Sequence, residues 1–277
     1  MKQKNFRKLF TIYFIAFGII ISLLGVSINY YIQTMQTNKI LKQKASEIFK
    51  IRNEVDLTNH LTDISNTLNS LKNNQLVKDY VSSKNNNNEK NLKNLFLNVI
   101  NSNNLIMKVR YVNKDGKEVI RIEKNSKNSD SIIVDEAKLK DEKESDFFKN
   151  ISKLNEDSIW YSKLGLDVER NQIEQPYKPT LIVGIPIFNK NYFDGIVAIN
   201  IFLDDLLKMV SKTSVFNHYI VDKDKNYIFH PDEQYSFNAY KNIKRDIKED
   251  FPDGLEVDKV FTYSLEKIFK NEENLLM

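Results

Sequence analysis

Between Leu9 and Ile32 the chain carries no charged side chain. A helix needs about 20 apolar residues to cross the hydrocarbon core of a bilayer, and this run supplies them. Lys2, Lys4, Arg7 and Lys8 come just before it, and Glu47 and Glu54 are the only acidic residues before Asp56. Basic flanks stay on the cytoplasmic side, so the pattern predicts an inside N-terminus and an outside remainder from about Gln33. Tyr13, Tyr30 and Tyr31 sit near the ends of the run, where amphipathic rings suit the interface. A cleaved signal peptide is the competing reading. Its apolar stretch spans ~7–15 residues and closes on a small-x-small site. Here the run is longer and leads into Asn29-Tyr30-Tyr31, so an uncleaved anchor is expected.

That segment also explains the net charge. The chain has 41 basic and 37 acidic residues, and the four basic residues of the tail account for the whole +4. The basic balance therefore reflects topology and not a nucleic-acid-binding surface. There is no cysteine, which excludes disulfides, thiolate metal sites and a cysteine nucleophile and fits an exported bacterial domain. His60, His218 and His230 are scattered and form no metal-binding spacing, so neither a metal nor another cofactor is expected. Abundant Asn and Lys read as coding bias without functional meaning. Against that background arginine is informative, because its planar fork does what lysine does not. Only Arg7, Arg52, Arg110, Arg121, Arg170 and Arg245 are present, and Arg110 and Arg121 flank one expected hairpin. Chance or a surface ion pair would explain them equally well.

From Gln33 to about Val81 there is neither Pro nor Gly. Leu41, Ala45, Ile48 and Val55, then Leu61, Ile64, Leu68 and Leu71, fall at helical spacing, which predicts one long amphipathic helix. A phase change between Val55 and Leu61 implies a change of partner, from a dimer seam to an intradomain core, or a kink. The polar run Ser82–Asn88 is a turn, and Leu92, Leu95, Phe96, Val99 and Ile100 mark a second helix. The texture changes at Leu105. Leu105–Val112 and Glu118–Glu123 read as strands joined by Asn113-Lys114-Asp115-Gly116, a strong hairpin signal. Further strands are expected at Ser131–Val134, Ser158–Leu164, Thr180–Phe188 and Gly195–Phe202, with helices at Ser145–Leu154 and from Asp204 or Asp205 to about Val210. Pro176, Pro179 and Pro186 favour turns or strand ends. Asn217–Val221 and Asn226–Phe229 make another hairpin around Asp222–Lys225, so two related α+β modules in tandem are expected.

Arg110-Tyr111-Val112-Asn113-Lys114-Asp115-Gly116-Lys117-Glu118-Val119-Ile120-Arg121-Ile122 resembles the first hairpin of the double Cache (PAS-like) sensor domains. These belong to bacterial chemoreceptors, sensor histidine kinases and diguanylate cyclases. Ile173–Pro179, Gly184–Asn189 and Gly195–Asn200 resemble later strands of the same module. The resemblance covers about Leu105 to Leu207 well, and the second hairpin with His230-Pro231-Asp232 more weakly. It implies an α+β fold: a cytoplasmic tail (1–8), a transmembrane helix (9–32), a long periplasmic helix with a second helix (33–103), a membrane-distal Cache module (104–210) and an incomplete membrane-proximal one (211–277). It also implies an inner-membrane, homodimeric receptor whose bulk is periplasmic and which binds a small molecule. Two positions depart from the pattern. Ile182 stands where the family often has an arginine, and Gly165 where it often has an acidic residue. Phe251–Met277 is too polar to be a second span, so a fragment, a truncated gene or a separate output partner is expected.

Ligand-binding candidates follow, each with a bland alternative. Arg110 and Arg121 would clamp a carboxylate, or pair with Glu123 or Asp194. Trp160 and Tyr161 are adjacent on a strand and face opposite sides, so at most one points into a pocket; packing explains them as well. Tyr177 and Lys178 lie on a proline-bounded loop that would close over a pocket, or simply turn. Asp194 would take a ligand ammonium, or end a turn. His230 reads as a packing residue. No Ser/His/Asp set, phosphate-cradling glycine loop or framed carboxylate pair supports catalysis, and no enzyme is expected. The reading is an extracytoplasmic ligand-sensing region that signals along the helix around Leu41–Leu71. The alternative is an anchored module that recognises a periplasmic protein.

Overall fold

A computed structural model describes residues 2–50, 58–169, 172–211, 217, 219–222 and 224–251. Contacts divide the chain into two units, Met1–Lys50 and Ile51–Met277. The first is one helix, α1 (Lys2–Lys50), of 49 residues and about 74 Å at 1.5 Å per residue. Among the described residues it is the one helix long and apolar enough to cross a membrane.

The second unit begins with three helices: α2 (Thr58–Asn73), α3 (Gln75–Ser82) and α4 (Asn86–Ser102). The expected continuous helix to Val81 is interrupted at Asn74, which adopts extended backbone. Its side-chain oxygen accepts from the Leu76 amide at 2.9 Å, capping α3. A short amide side chain can satisfy the orphan donors of a helix start, and here that local bond ends one helix and begins the next. Val55, on which the phase change rests, lies outside the described residues. Leu61, Ile64, Leu68 and Leu71 form the buried stripe of α2, and Leu92, Phe96 and Ile100 that of α4. Each fully buried Leu or Ile stabilises by roughly 1.5–3 kcal/mol relative to an exposed one.

Those stripes cover one face of an antiparallel sheet. Its strands are β1 (Ile106–Asn113), β2 (Glu118–Lys124), β3 (Ser131–Ile133), β4 (Trp160–Tyr161), β5 (Gly165–Leu166), β8 (Pro179–Asn189) and β9 (Tyr192–Phe202), ordered β3-β2-β1-β9-β8-β4 with β5 also on β8. The small hairpin of β6 (Val168–Glu169) and β7 (Gln172–Ile173) stands apart. The β1–β2 turn closes as its sequence suggests. The Asn113 side chain accepts from the amides of Asp115 and Lys117, and Gly116 takes a positive φ of 87°. Helix α5 (Asp146–Ile151), capped by Ser145, is shorter than expected. Pro186 departs from its expectation by lying inside β8, opposite Ile196. The cause is local: β4 pairs only with Val183 and Gly184, so β8 is an edge where Pro186 sits.

Helix α6 (Asp204–Ser211) follows, with both aspartates inside its first turn, where carboxylates complement the helix dipole, and not at the cap. The expected second hairpin is present as β10 (Ile220–Val221) and β11 (Tyr227–Phe229). The Asp222 carboxylate bridges its turn, accepting from the amides of Asp224 and Asn226, as Asn113 does in the first. The short helix α7 (Ile247–Asp250) is the last described element.

Candidate functional site

Strand alternation gives the sheet two unlike faces. Val109 and Tyr111 of β1, Ile120 and Ile122 of β2, and Val197, Ile199 and Ile201 of β9 join the helix-covered core. The intervening residues Lys108, Arg110, Arg121 and Asn200 take the other face, where Val112, Ile196, Ala198, Phe147, Phe148 and Ile151 form a second, smaller cluster. Arg110 and Arg121 are direct cross-strand partners. Like charges placed opposite one another destabilise a ladder unless something lies between them.

A bulge supplies it. Register runs Tyr111↔Ile120 and then Val112↔Glu118, which leaves Val119 as the extra residue. That one-residue shift turns Glu118 onto the arginine face. Its side chain is fully buried, accepts from Arg121 Nη1 at 3.0 Å and lies 3.4 Å from Arg110 Nη1. Arg110 also donates from Nη2 to Asn200 Oδ1 at 2.5 Å, lies 3.4 Å from Glu142, and stacks over the Phe147 ring at 4.7 Å. Its Nε is buried and has no hydrogen-bond partner among the described residues.

Two straps cross this face. The segment 134–145 is pinned by bonds from Glu118 N to Lys140 O (2.8 Å), from Lys140 N to Glu118 Oε2 (3.0 Å) and from Glu142 N to Gly116 O (2.7 Å). It delivers Glu142 to Arg110. Burial pushes the Glu142 carboxyl above the usual range against the pull of Arg110. The second strap is the β6–β7 hairpin, closed by Asp167 N to Lys178 O (2.8 Å) and Glu174 N to Asp167 O (3.0 Å). Asp167 pairs with Lys108 at 2.6 Å, and Glu174 with Lys178 at 2.9 Å. Burial raises Glu174, and its bond to Asp167 raises it further. Burial works against Asp167 too, but Lys108 and the bond from Glu174 outweigh it and hold this carboxyl low. Of the two carboxyls, Asp167 is therefore the more readily ionised.

The residues singled out in the sequence divide among four places. Arg110 and Arg121 lie in the buried charge layer, and Trp160 packs beside it against the smaller cluster. Lys178 belongs to the second strap. Tyr161 faces the helices, its hydroxyl bonded to Ser65 of α2. Asp194 is also on the helix side, paired with Lys84 at 2.8 Å and bonded to the Tyr111 hydroxyl, whose pKa burial and Asp194 drive far upward. Tyr177 follows the cis Gln175–Pro176 bond and borders a separate groove. Ile182 lies at the edge of the smaller cluster, and Gly165 abuts Tyr240, whose hydroxyl would be 2.7 Å from a Cβ there. Sequence reasoning missed Lys108, Glu118, Glu142, Phe147, Asp167 and Asn200. Lys108 and Asn200 left a signal, as polar residues on the alternation of otherwise apolar strands.

A family model described as bacterial histidine kinase, sensor domain, matches residues 39–252. The chain belongs to this family. Sensor domains of this family serve bacterial signal transduction, and that is the function this chain carries. Solved structures share the fold. The extracellular domain of vpHK1S-Z8, described as a histidine kinase, superposes with a TM-score of 0.65 at 20% identity, covering 79% of this chain and 77% of that one. A domain of a sensory box/GGDEF family protein from Vibrio parahaemolyticus gives 0.64 at 21%, covering 78% and 80%. The sensory domain of the Campylobacter jejuni chemoreceptor Tlp3 gives 0.57 at 17%, covering 78% and 79%. No curated protein sequence matches the chain.

Proposed function

We propose that the sensor domain binds a small amphoteric molecule, of the amino-acid class, on the arginine face of the seven-stranded sheet. The observation that carries this reading is the buried layer of Lys108, Arg110, Arg121 and Asn200 beneath two straps. A ligand carboxylate would take Arg110, whose Nε is unmet and whose contacts to Glu118 and Glu142 are long at 3.4 Å. A ligand ammonium would take Glu142, Asp167 or Asn200. Phe147, Phe148 and Trp160 would receive an apolar side chain. Arg121 and Lys178 position the layer and its strap. Tyr161, Tyr177 and Asp194 act outside this face, in packing or in other contacts. Tlp3 of Campylobacter jejuni has been solved with L-valine and with isoleucine, which makes these amino acids the first to try here.

The receptor reading places residues 1–8 in the cytoplasm, 9–32 across the inner membrane and the remainder outside, with 104–210 as the membrane-distal sensing module, 211–277 as the proximal one, and two chains paired. The ligand favours one arrangement of the straps over another, and only that difference in affinity can drive a signal. The experiment is a thermal-shift screen of the full chain in detergent against L-valine, L-isoleucine and other amino acids. A stabilising hit that disappears in Arg110→Gln supports the site. A panel with no stabilising member rejects the amino-acid reading.

A further inference from the structure

A concavity lies on the other side of the β6–β7 strap, between the large sheet and the β10–β11 hairpin. It encloses about 520 Å³ and is walled by Leu166, Tyr177 and Leu207 on one side and Ile228, Phe229 and Phe237 on the other. That volume falls within the ~300–1,000 Å³ of small-molecule sites. Asp204 and Glu233 line the same groove, and the carboxylate of neither makes an ion pair or side-chain hydrogen bond among the described residues. Asp204 is half-buried, and burial pushes its carboxyl up against the pull of Lys208 and Lys127. Two lysines, Lys208 and Lys241, also line the groove. Lys241 Nζ lies 5.0 Å from the centre of the Tyr177 ring and donates to the carbonyls of Glu233 (3.2 Å) and Gln234 (3.5 Å). Lys241 thereby ties the hairpin module to the loop after the second strap, through a ring that is 41% exposed.

We propose that this groove is a binding site for a small organic cation, an alkylammonium with an apolar body, that takes the place of the Lys241 ammonium over Tyr177 and pairs with Asp204. An aromatic face attracts a cation, and more strongly once water is excluded. The apolar walls supply the rest of the contact. The site is separate from the arginine face, and its occupation releases the Lys241 tie between the two modules.

The probe is n-butylammonium chloride, titrated calorimetrically into the full chain in detergent, with sodium chloride at equal ionic strength as control. Saturable binding is expected, weakened ~10-fold or more in Asp204→Asn and in Tyr177→Leu. Lys241→Met removes the competing internal ammonium and should tighten binding several-fold, with Lys241→Gln as a second variant. Arg110→Gln should leave it unchanged, which separates this site from the arginine face. No saturable binding in either the wild type or Lys241→Met overturns the proposal. So does binding that ignores Asp204→Asn and Tyr177→Leu, or that Lys241→Met leaves unchanged or weaker.

Discussion

Glu118→Gln removes the negative charge at the centre of the arginine layer while keeping the shape of the side chain. Glu118 is fully buried and serves Arg121 Nη1 (3.0 Å), the Lys140 amide (3.0 Å) and, more loosely, Arg110 Nη1 (3.4 Å). Removing one partner of a buried ion pair costs about 3–5 kcal/mol, because the remaining charge stays desolvated. Here Arg121 keeps Glu123 at 3.3 Å, and Arg110 keeps Asn200 and Glu142, so the lower end, about 3 kcal/mol, is expected. For a unit of this size each kcal/mol shifts Tm by about 2–4 °C, giving a fall of about 6–12 °C. Trp160 is the chain's single tryptophan and packs against the affected cluster, so its fluorescence reports the transition. The double variant Glu118→Leu with Arg121→Met should lose less than Glu118→Leu alone, since the second change removes the guanidinium that the first strands. A Tm for Glu118→Gln within about 2 °C of wild type would refute the claim that this carboxylate compensates the buried arginines.

Three further changes test the fold and the straps. Glu142 has a raised pKa in the folded chain, so the native state holds a proton that the unfolded chain releases. Stability should therefore fall as pH rises from the ordinary glutamate value through the raised one, and Glu142→Gln should flatten that slope in urea titrations at stepped pH. Gly195→Ala would drive a methyl into the Val112 carbonyl across the β1–β9 ladder, with Asn113 Cα and the Tyr111 hydroxyl at 3.0 Å, and should lower stability by about 1–3 kcal/mol in the same assay. Leu68→Ala empties a fully buried site of α2 and should cost about 2–5 kcal/mol, read from the urea midpoint at constant m-value.

Periodicity made most of the scaffold legible. The 3-4-3 spacing of Leu61, Ile64, Leu68 and Leu71 identified a buried helix stripe, and Asn113–Gly116 identified the turn that pairs Arg110 with Arg121. The break at Asn74 is not legible in the sequence, because one asparagine among many gives no warning that its side chain caps the next helix. The site was only partly legible, for a different reason. Arg110 and Arg121 stood out by rarity, but Glu118 belongs to their face only because of a bulge, and a strict period of two assigns it to the opposite one. Glu142 and Asp167 arrive on straps far along the chain, so no local pattern joins them to the arginines. Asp194 looked like a ligand carboxylate from its place before a strand. Its bonds to Tyr111 and Lys84 on the helix side come from tertiary packing that no spacing encodes.

The central claim is that an amphoteric ligand binds beneath the straps and is held by Arg110. Calorimetric titration of the common L-amino acids, one at a time, into the full chain and into Arg110→Gln tests it most directly. The account predicts saturable binding by at least one of them to the wild type, and at least a ~10-fold loss in the variant, as expected for a severed charge-assisted fork. Saturable binding that Arg110→Gln leaves intact, or no binding by any of them, would contradict it.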